Sequence, residues 1–75
     1  MINNMKINKI LTHKELIDKF IKINTGVKVI DWQPMIGDEC KAYADERQPI
    51  LRVELEDGNW LRVFVSKEYS EINWY

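Results

Sequence analysis

The sequence predicts an α+β domain: an N-terminal helix over about 12–24, packed on one face of a mostly antiparallel meander of four or five strands. Three observations carry this reading. Residues 12–24 combine a helix-start signature with an apolar stripe of helical period. From residue 50 onward, apolar and polar side chains alternate around an Asp57-Gly58 turn. The chain has 75 residues, enough for a single small core and no second domain.

Thr12 and Glu15 form a T-x-x-E capping box, and Leu11 and Leu16 take the flanking hydrophobic-staple positions. Leu16, Ile17, Phe20 and Ile21 make one apolar face. Glu15–Lys19 and Asp18–Lys22 are acid-first pairs four residues apart, and they also suit the helix dipole. Gly26, after Asn24-Thr25, is the expected left-handed stop. Ordering this helix costs more than its stripe returns, so it must dock on the sheet. Residues 1–8, with Ile2, Met5 and Ile7, read as a flexible arm, a short strand or an early helical turn.

Strands are expected over about 27–33, 39–45, 50–56 and 59–66, with a short fifth over 71–75. Register follows from segregation of apolar side chains. A two-residue loop at Asp57-Gly58 would set Val53 opposite Arg62. A three-residue loop, Glu56-Asp57-Gly58, with Gly58 left-handed in a G1 bulge, instead pairs Val53 with Leu61 and Leu51 with Val63. A one-residue slip flips every side chain, so the three-residue loop is expected. A four-residue turn, 67–70, then sets Val65 opposite Ile72 and Val63 opposite Trp74. In 39–45, Cys40, Ala42 and Ala44 are expected to face the helix, with Ala44 opposite Leu51. Val27/Val29 and Ile30/Trp32 fall on opposite faces, so that strand carries a bulge or is buried on both sides. Residues 33–38 are a loop by their Pro and Gly.

The formal charge of −1 hides a split: residues 1–30 sum to +4 and residues 31–75 to −5. Net charge therefore excludes a generally basic nucleic-acid or membrane binder. A solvated lysine-coated helix beside an acidic-leaning sheet accounts for the split, and an electrostatic partner surface is the sharper alternative. One cysteine excludes an intrachain disulfide scaffold and a multi-thiolate zinc site. No apolar run is long enough for a membrane span, and the start lacks a signal-type apolar stretch. The expected setting is a reducing cytoplasm.

The register leaves Tyr43, Ile50, Arg52, Trp60, Arg62 and Phe64 on the face without a helix. Arg52 falls directly opposite Arg62, an unfavourable pair unless flanking tyrosines, Glu54 on the diagonal or a bound anion relieves it. Tyr43 is expected to stack on Arg52, and Lys41 to oppose Glu54. Three uses of the face stay open: a half-exposed sheet face held by cross-strand pairs or covered by residues 1–8, a surface for a protein partner or a second copy, and a platform for single-stranded nucleic acid. The acidic second half counts against the last.

Catalytic chemistry is thinly represented. His13 falls at the first helical position, Cys40 faces the inferred core, and Ser66 and Ser70 sit at a turn without a patterned base. The acidic pairs lack calcium-loop spacing, and no phosphate-loop, dinucleotide or zinc pattern occurs. A non-enzymatic protein without cofactor or metal is expected.

Val29-Ile30-Asp31-Trp32 before a Pro/Gly/Asp loop, and the run from Leu55 to Val63 with Trp74-Tyr75 near the end, resemble small uncharacterised proteins of Firmicute phages and integrative/conjugative elements. The resemblance covers about half of the chain and describes a hairpin, so no functional residues carry over. It implies an accessory gene product of a mobile element that acts by binding another protein.

Overall fold

The computed structural model describes residues 6–36 and 40–75. Its elements run α1 (His13–Ile23), β1 (Val29–Pro34), β2 (Leu51–Leu55), β3 (Trp60–Val65) and β4 (Ile72–Trp74). The strands form one antiparallel sheet in the order β1-β2-β3-β4, and α1 covers one face.

Helix α1 starts as its sequence dictates. Thr12 Oγ1 accepts from the Glu15 N–H, and Glu15 Oε1 accepts from the Thr12 N–H, closing the capping box. Leu11 and Leu16, the staple pair, are both in the core. The ion pairs differ from the expected ones: Glu15 bonds Lys9 at 2.9 Å, and Asp18 bonds Lys14 at 2.8 Å. Both acids turn toward the preceding turn, where side chains of a helix naturally point. Leu16, Ile17 and Phe20 are buried, but Ile21 is 43% exposed, and Ile23 packs on the core in its place. The buried stripe thus runs 16, 17, 20, 23, closer to a 3.6-residue period than the expected one. Gly26 is not left-handed. Asn24 ends the helix instead, donating both its N–H and its Nδ2 to the Phe20 carbonyl.

The β2–β3 hairpin has the expected three-residue loop. Gly58 sits at φ +90°, Leu55 N–H donates to the Asn59 carbonyl, and Leu51↔Val63 and Val53↔Leu61 pair. Across β3–β4, Val63↔Trp74 and Val65↔Ile72 follow as expected. The connecting turn places Ser70 at φ +55°, a left-handed conformation that an L side chain tolerates poorly.

Of the two alternatives for the first strand, a bulge or burial on both sides, the bulge is realised, between Val29 and Asp31. The extra residue, Ile30, is turned outward, and Val29 and Trp32 both reach the helix-side core. This strand occupies the β2 edge that the sequence reading reserved for 39–45, with Trp32 opposite Val53 and Pro34 opposite Leu51. Val29 and Trp32 cover more apolar surface there than Ala42 and Ala44 could, and Pro34 is tolerated because it ends an edge strand.

Residues 40–44 are consequently a turn, not a strand: Tyr43 and Ala44 N–H groups both donate to the Cys40 carbonyl. Glu39 lies outside the described residues, and Ala44 bridges Ser66, not Leu51. The turn is held against the end of β3 by Asp45 N–H to Val65 O and Lys67 N–H to Tyr43 O. Cys40 and Ala44 therefore leave the helix-side core and pack with Ile50 on Phe64, across the sheet from α1.

The main core joins the helix stripe to Leu51, Val53, Val63, Val65 and Ile72, with the Phe20 and Trp74 rings edge to face at 5.4 Å. Ile2 and Met5 lie outside the described residues. The segment after them is docked: Ile7 is buried, its N–H donates to the Ser70 carbonyl, and Lys6 Nζ donates to the Tyr69 carbonyl. Gln48, only 8% exposed, completes the docking. Its Oε1 accepts from the Leu11 N–H at 2.9 Å and its Nε2 donates to the Lys9 carbonyl at 2.7 Å. No sequence pattern marked this clamp.

Candidate functional site: an arginine–aromatic sheet face

Strand alternation puts Arg52, Glu54, Trp60, Arg62 and Phe64 on the face away from α1, and the pairing of β2 with β3 brings them into register. Arg52 stands directly opposite Arg62, and Glu54 opposite Trp60. The two guanidiniums resolve their juxtaposition through Trp60. The Arg52 carbon lies 3.9 Å from the ring centroid and the Arg62 carbon 4.4 Å. Arg62 also lies 4.8 Å from the Tyr75 centroid.

The magnitudes make this arrangement self-consistent. Two unit charges about 6 Å apart in a water-like medium repel by about 0.7 kcal/mol. Each exposed cation–π contact returns about 0.5–1 kcal/mol. Glu54 adds a weak attraction, its carboxylate 4.0 Å from Arg52 Nε. Of the three expected sources of relief, flanking tyrosine and Glu54 are both present, and Trp60 is the larger one the sequence reading passed over.

Beside the stack, Tyr75 meets Phe64 edge to face at 6.0 Å and Tyr43 at 6.4 Å. Tyr43 reaches this position from the 40–44 turn, so its partner is Tyr75, while Arg52 stacks on Trp60. Lys41, on the same turn, has no place in the Glu54 row. Beyond Phe64 the face hollows into a cleft of about 430 Å³ whose walls include Tyr43, Phe64, Ser66, Tyr69 and Asn73. That size falls within the range of side-chain and small-ligand pockets.

The six expected site residues therefore divide. Arg52, Trp60 and Arg62 form the stack, and Tyr43 joins it through Tyr75. Phe64 is only 3% exposed: the 40–44 turn covers it, so it is a floor and not a contact surface. Ile50 is half-buried against the same cluster and does not line the cleft. Tyr75, Tyr69 and Asn73 were missing from the expected set. Tyr75 was legible, because the register already placed it opposite Arg62, and the Arg62 and Tyr75 backbones exchange hydrogen bonds at 2.7 and 3.1 Å. The cleft was not legible, since its wall depends on the turn.

Among the described residues, no helix is long and apolar enough to cross a membrane, and no three His, Cys, Asp or Glu side chains gather as a metal site. Compared with known proteins, the chain matches no family model, no curated protein and no solved structure.

Proposed function

We propose that this chain is a non-catalytic accessory protein that binds another protein through the face built on Arg52, Trp60, Arg62 and Tyr75. The observation that carries the reading is the stack itself: two arginines held over one tryptophan, next to an aromatic-walled cleft. Arginine, tryptophan and tyrosine are the residues that most often anchor interfaces. The phage and integrative-element resemblance of 29–32 and 55–63 supports an accessory role in a mobile element.

Single-stranded nucleic acid is the competing reading, since arginines and aromatics on a sheet also stack bases. It is weaker here on two counts. The guanidiniums already occupy ring surface of Trp60 that a base would need, and residues 31–75 are net acidic.

The test replaces Trp60 and Arg62 together by glutamine, with circular dichroism to confirm the fold. Affinity capture from a host lysate should retain a partner on the wild-type chain and lose it on the double variant. Equal capture by both sinks the proposal. A labelled oligo-dT titrated at low salt separates the classes: saturable, salt-sensitive binding would favour nucleic acid. Size-exclusion chromatography of both chains shows whether the partner is a second copy.

A further inference from the structure

We propose that the outer edge of β1 is closed to strand addition, with Asp31 as its cap, so that neither a second copy of this chain nor a partner strand extends the sheet on that side. The ladder fixes which backbone groups face outward. On β2, the Leu55 N–H donates across to Asn59 on the β3 side, and the Ile50 carbonyl accepts from Met35 on the β1 side. Backbone groups alternate in direction along a strand, so Arg52 and Glu54 point at β1, and Gln33 and Asp31 opposite them point back. Trp32 and Pro34 therefore turn their backbone groups away from β2, to the outer side of the sheet. Pro34 has no N–H to offer. The Trp32 N–H is already taken: it donates to Asp31 Oδ1 at 2.8 Å. What positions 32 and 34 present outward is two carbonyls. Before them, the bulge at Ile30 sets Val29 and Trp32 three residues apart rather than two, so a regular strand cannot keep step with both.

This edge needs such a cap. Val, Ile and Trp are strand-forming residues, and Ile30 stands 64% exposed at the bulge. An apolar run of this kind along an open edge is a template for pairing with another chain. A strand that docked at Trp32 would bring its own carbonyl oxygen to the N–H where the Asp31 oxygen sits. Two acceptors would then compete for one donor, and a displaced carboxylate would be left against the incoming carbonyl. Asp31 is exposed, so it keeps its water while it makes this bond. The cap is an oxygen acceptor at one place and not a charge, which distinguishes it from like-charge repulsion between copies. The proposal leaves binding to side chains and not to the β1 backbone, and it stands whether or not the arginine–aromatic face binds protein.

The test restores both donors in the whole chain with Asp31→Ala combined with Pro34→Thr, and compares it with wild type by light scattering over a concentration series and by amide hydrogen exchange. The double variant should associate beyond wild type as concentration rises, with the amides of 29–34 gaining protection at the same time. Asp31→Asn, which keeps the oxygen acceptor and loses the charge, should match wild type in both measurements. In dilute solution, Asp31→Ala alone should exchange its Trp32 amide at least threefold faster than wild type, after correction for intrinsic rates. Far-ultraviolet circular dichroism checks each variant, and the Trp32 exchange rate keeps the test decisive if the double variant does not fold. A folded double variant with the mass of wild type overturns the proposal, as does association without added protection at 29–34. Asp31→Asn associating as strongly as the double variant would assign the effect to charge, and an unchanged Trp32 exchange rate in Asp31→Ala would remove the cap; either result overturns it as well.

Discussion

Replacing Gln48 by alanine should cost about 2–3 kcal/mol of folding stability, although the residue lies in no helix or strand. Gln48 supplies the only side-chain contact that pairs both the Leu11 N–H and the Lys9 carbonyl among the described residues. Leu11 is 4% exposed, so its N–H loses its partner within a largely buried segment. A buried donor left unmade costs about 1–3 kcal/mol. Lys9 is exposed, its carbonyl can turn to solvent, and its share is about 0–1 kcal/mol. With a urea slope of about 1 kcal/mol per molar for so short a chain, the unfolding midpoint should fall by about 2–3 M. Tryptophan fluorescence follows the transition. A shift under about 0.5 M would show that the clamp is incidental and that 6–11 docks through its other contacts, the burial of Ile7 and Leu11 and the bonds to Tyr69 and Ser70. Gln48→Glu sharpens the test. Its carboxylate still accepts from Leu11 but faces the Lys9 carbonyl, which pushes its folded-state pKa up. Below that pKa the protonated acid donates to the carbonyl, so stability is present at low pH and lost as pH rises through it. The deficit of this variant against wild type should therefore shrink from pH 7 to pH 4, and a pH-independent deficit would refute the donor role.

Two loop substitutions should act with opposite signs. Gly58→Ala forces a side chain to φ +90° in otherwise open space, at about 1–2 kcal/mol, whereas Ser70→Gly relieves φ +55° and should raise stability by up to about 1 kcal/mol; thermal midpoints check both. Phe64→Ala should cost about 3–4 kcal/mol and expose the Cys40 thiol, which is fully buried against it, so the rate of thiol modification should rise with the loss of stability. Hydrogen bonding holds two carboxyls below their usual range: Glu15 chiefly through the Lys9 ammonium and Asp45 chiefly through the Arg47 guanidinium. Their contributions are present above the unfolded-state pKa values and vanish as pH falls through the lowered folded-state ones. Glu15→Gln combined with Asp45→Asn should accordingly flatten the fall in thermal midpoint between pH 5 and pH 2.

What the sequence by itself determined is whatever a few neighbouring residues settle between them. Thr12 and Glu15 close a capping box across three residues, and no distant contact alters that. Gly58 permits a left-handed turn, and the period of two in 51–55 and 60–65 leaves one register that keeps arginines out of the core. That register also placed Arg52 opposite Arg62, so half of the candidate site was legible before any coordinates. A bulge in 27–33 was one of the two outcomes that its apolar pattern allowed, and the fold chose it over burial on both sides.

Only the tertiary structure decided which segment took the edge of β2. The alternation of Cys40, Ala42 and Ala44 is compatible with a strand, but small side chains neither prefer the pleat strongly nor bury much area. Trp32 and Val29 bury more, so they won the edge, and 40–44 closed its own turn and covered Phe64. That single competition turned an expected exposed anchor into a covered floor, moved Tyr43 beside Tyr75 and created the cleft. Gln48 and the Trp60 stack belong to the same class. Their partners are separated in the chain or meet only after the strands pair, and pairing is a global minimum of buried area and satisfied polar groups that no local pattern encodes.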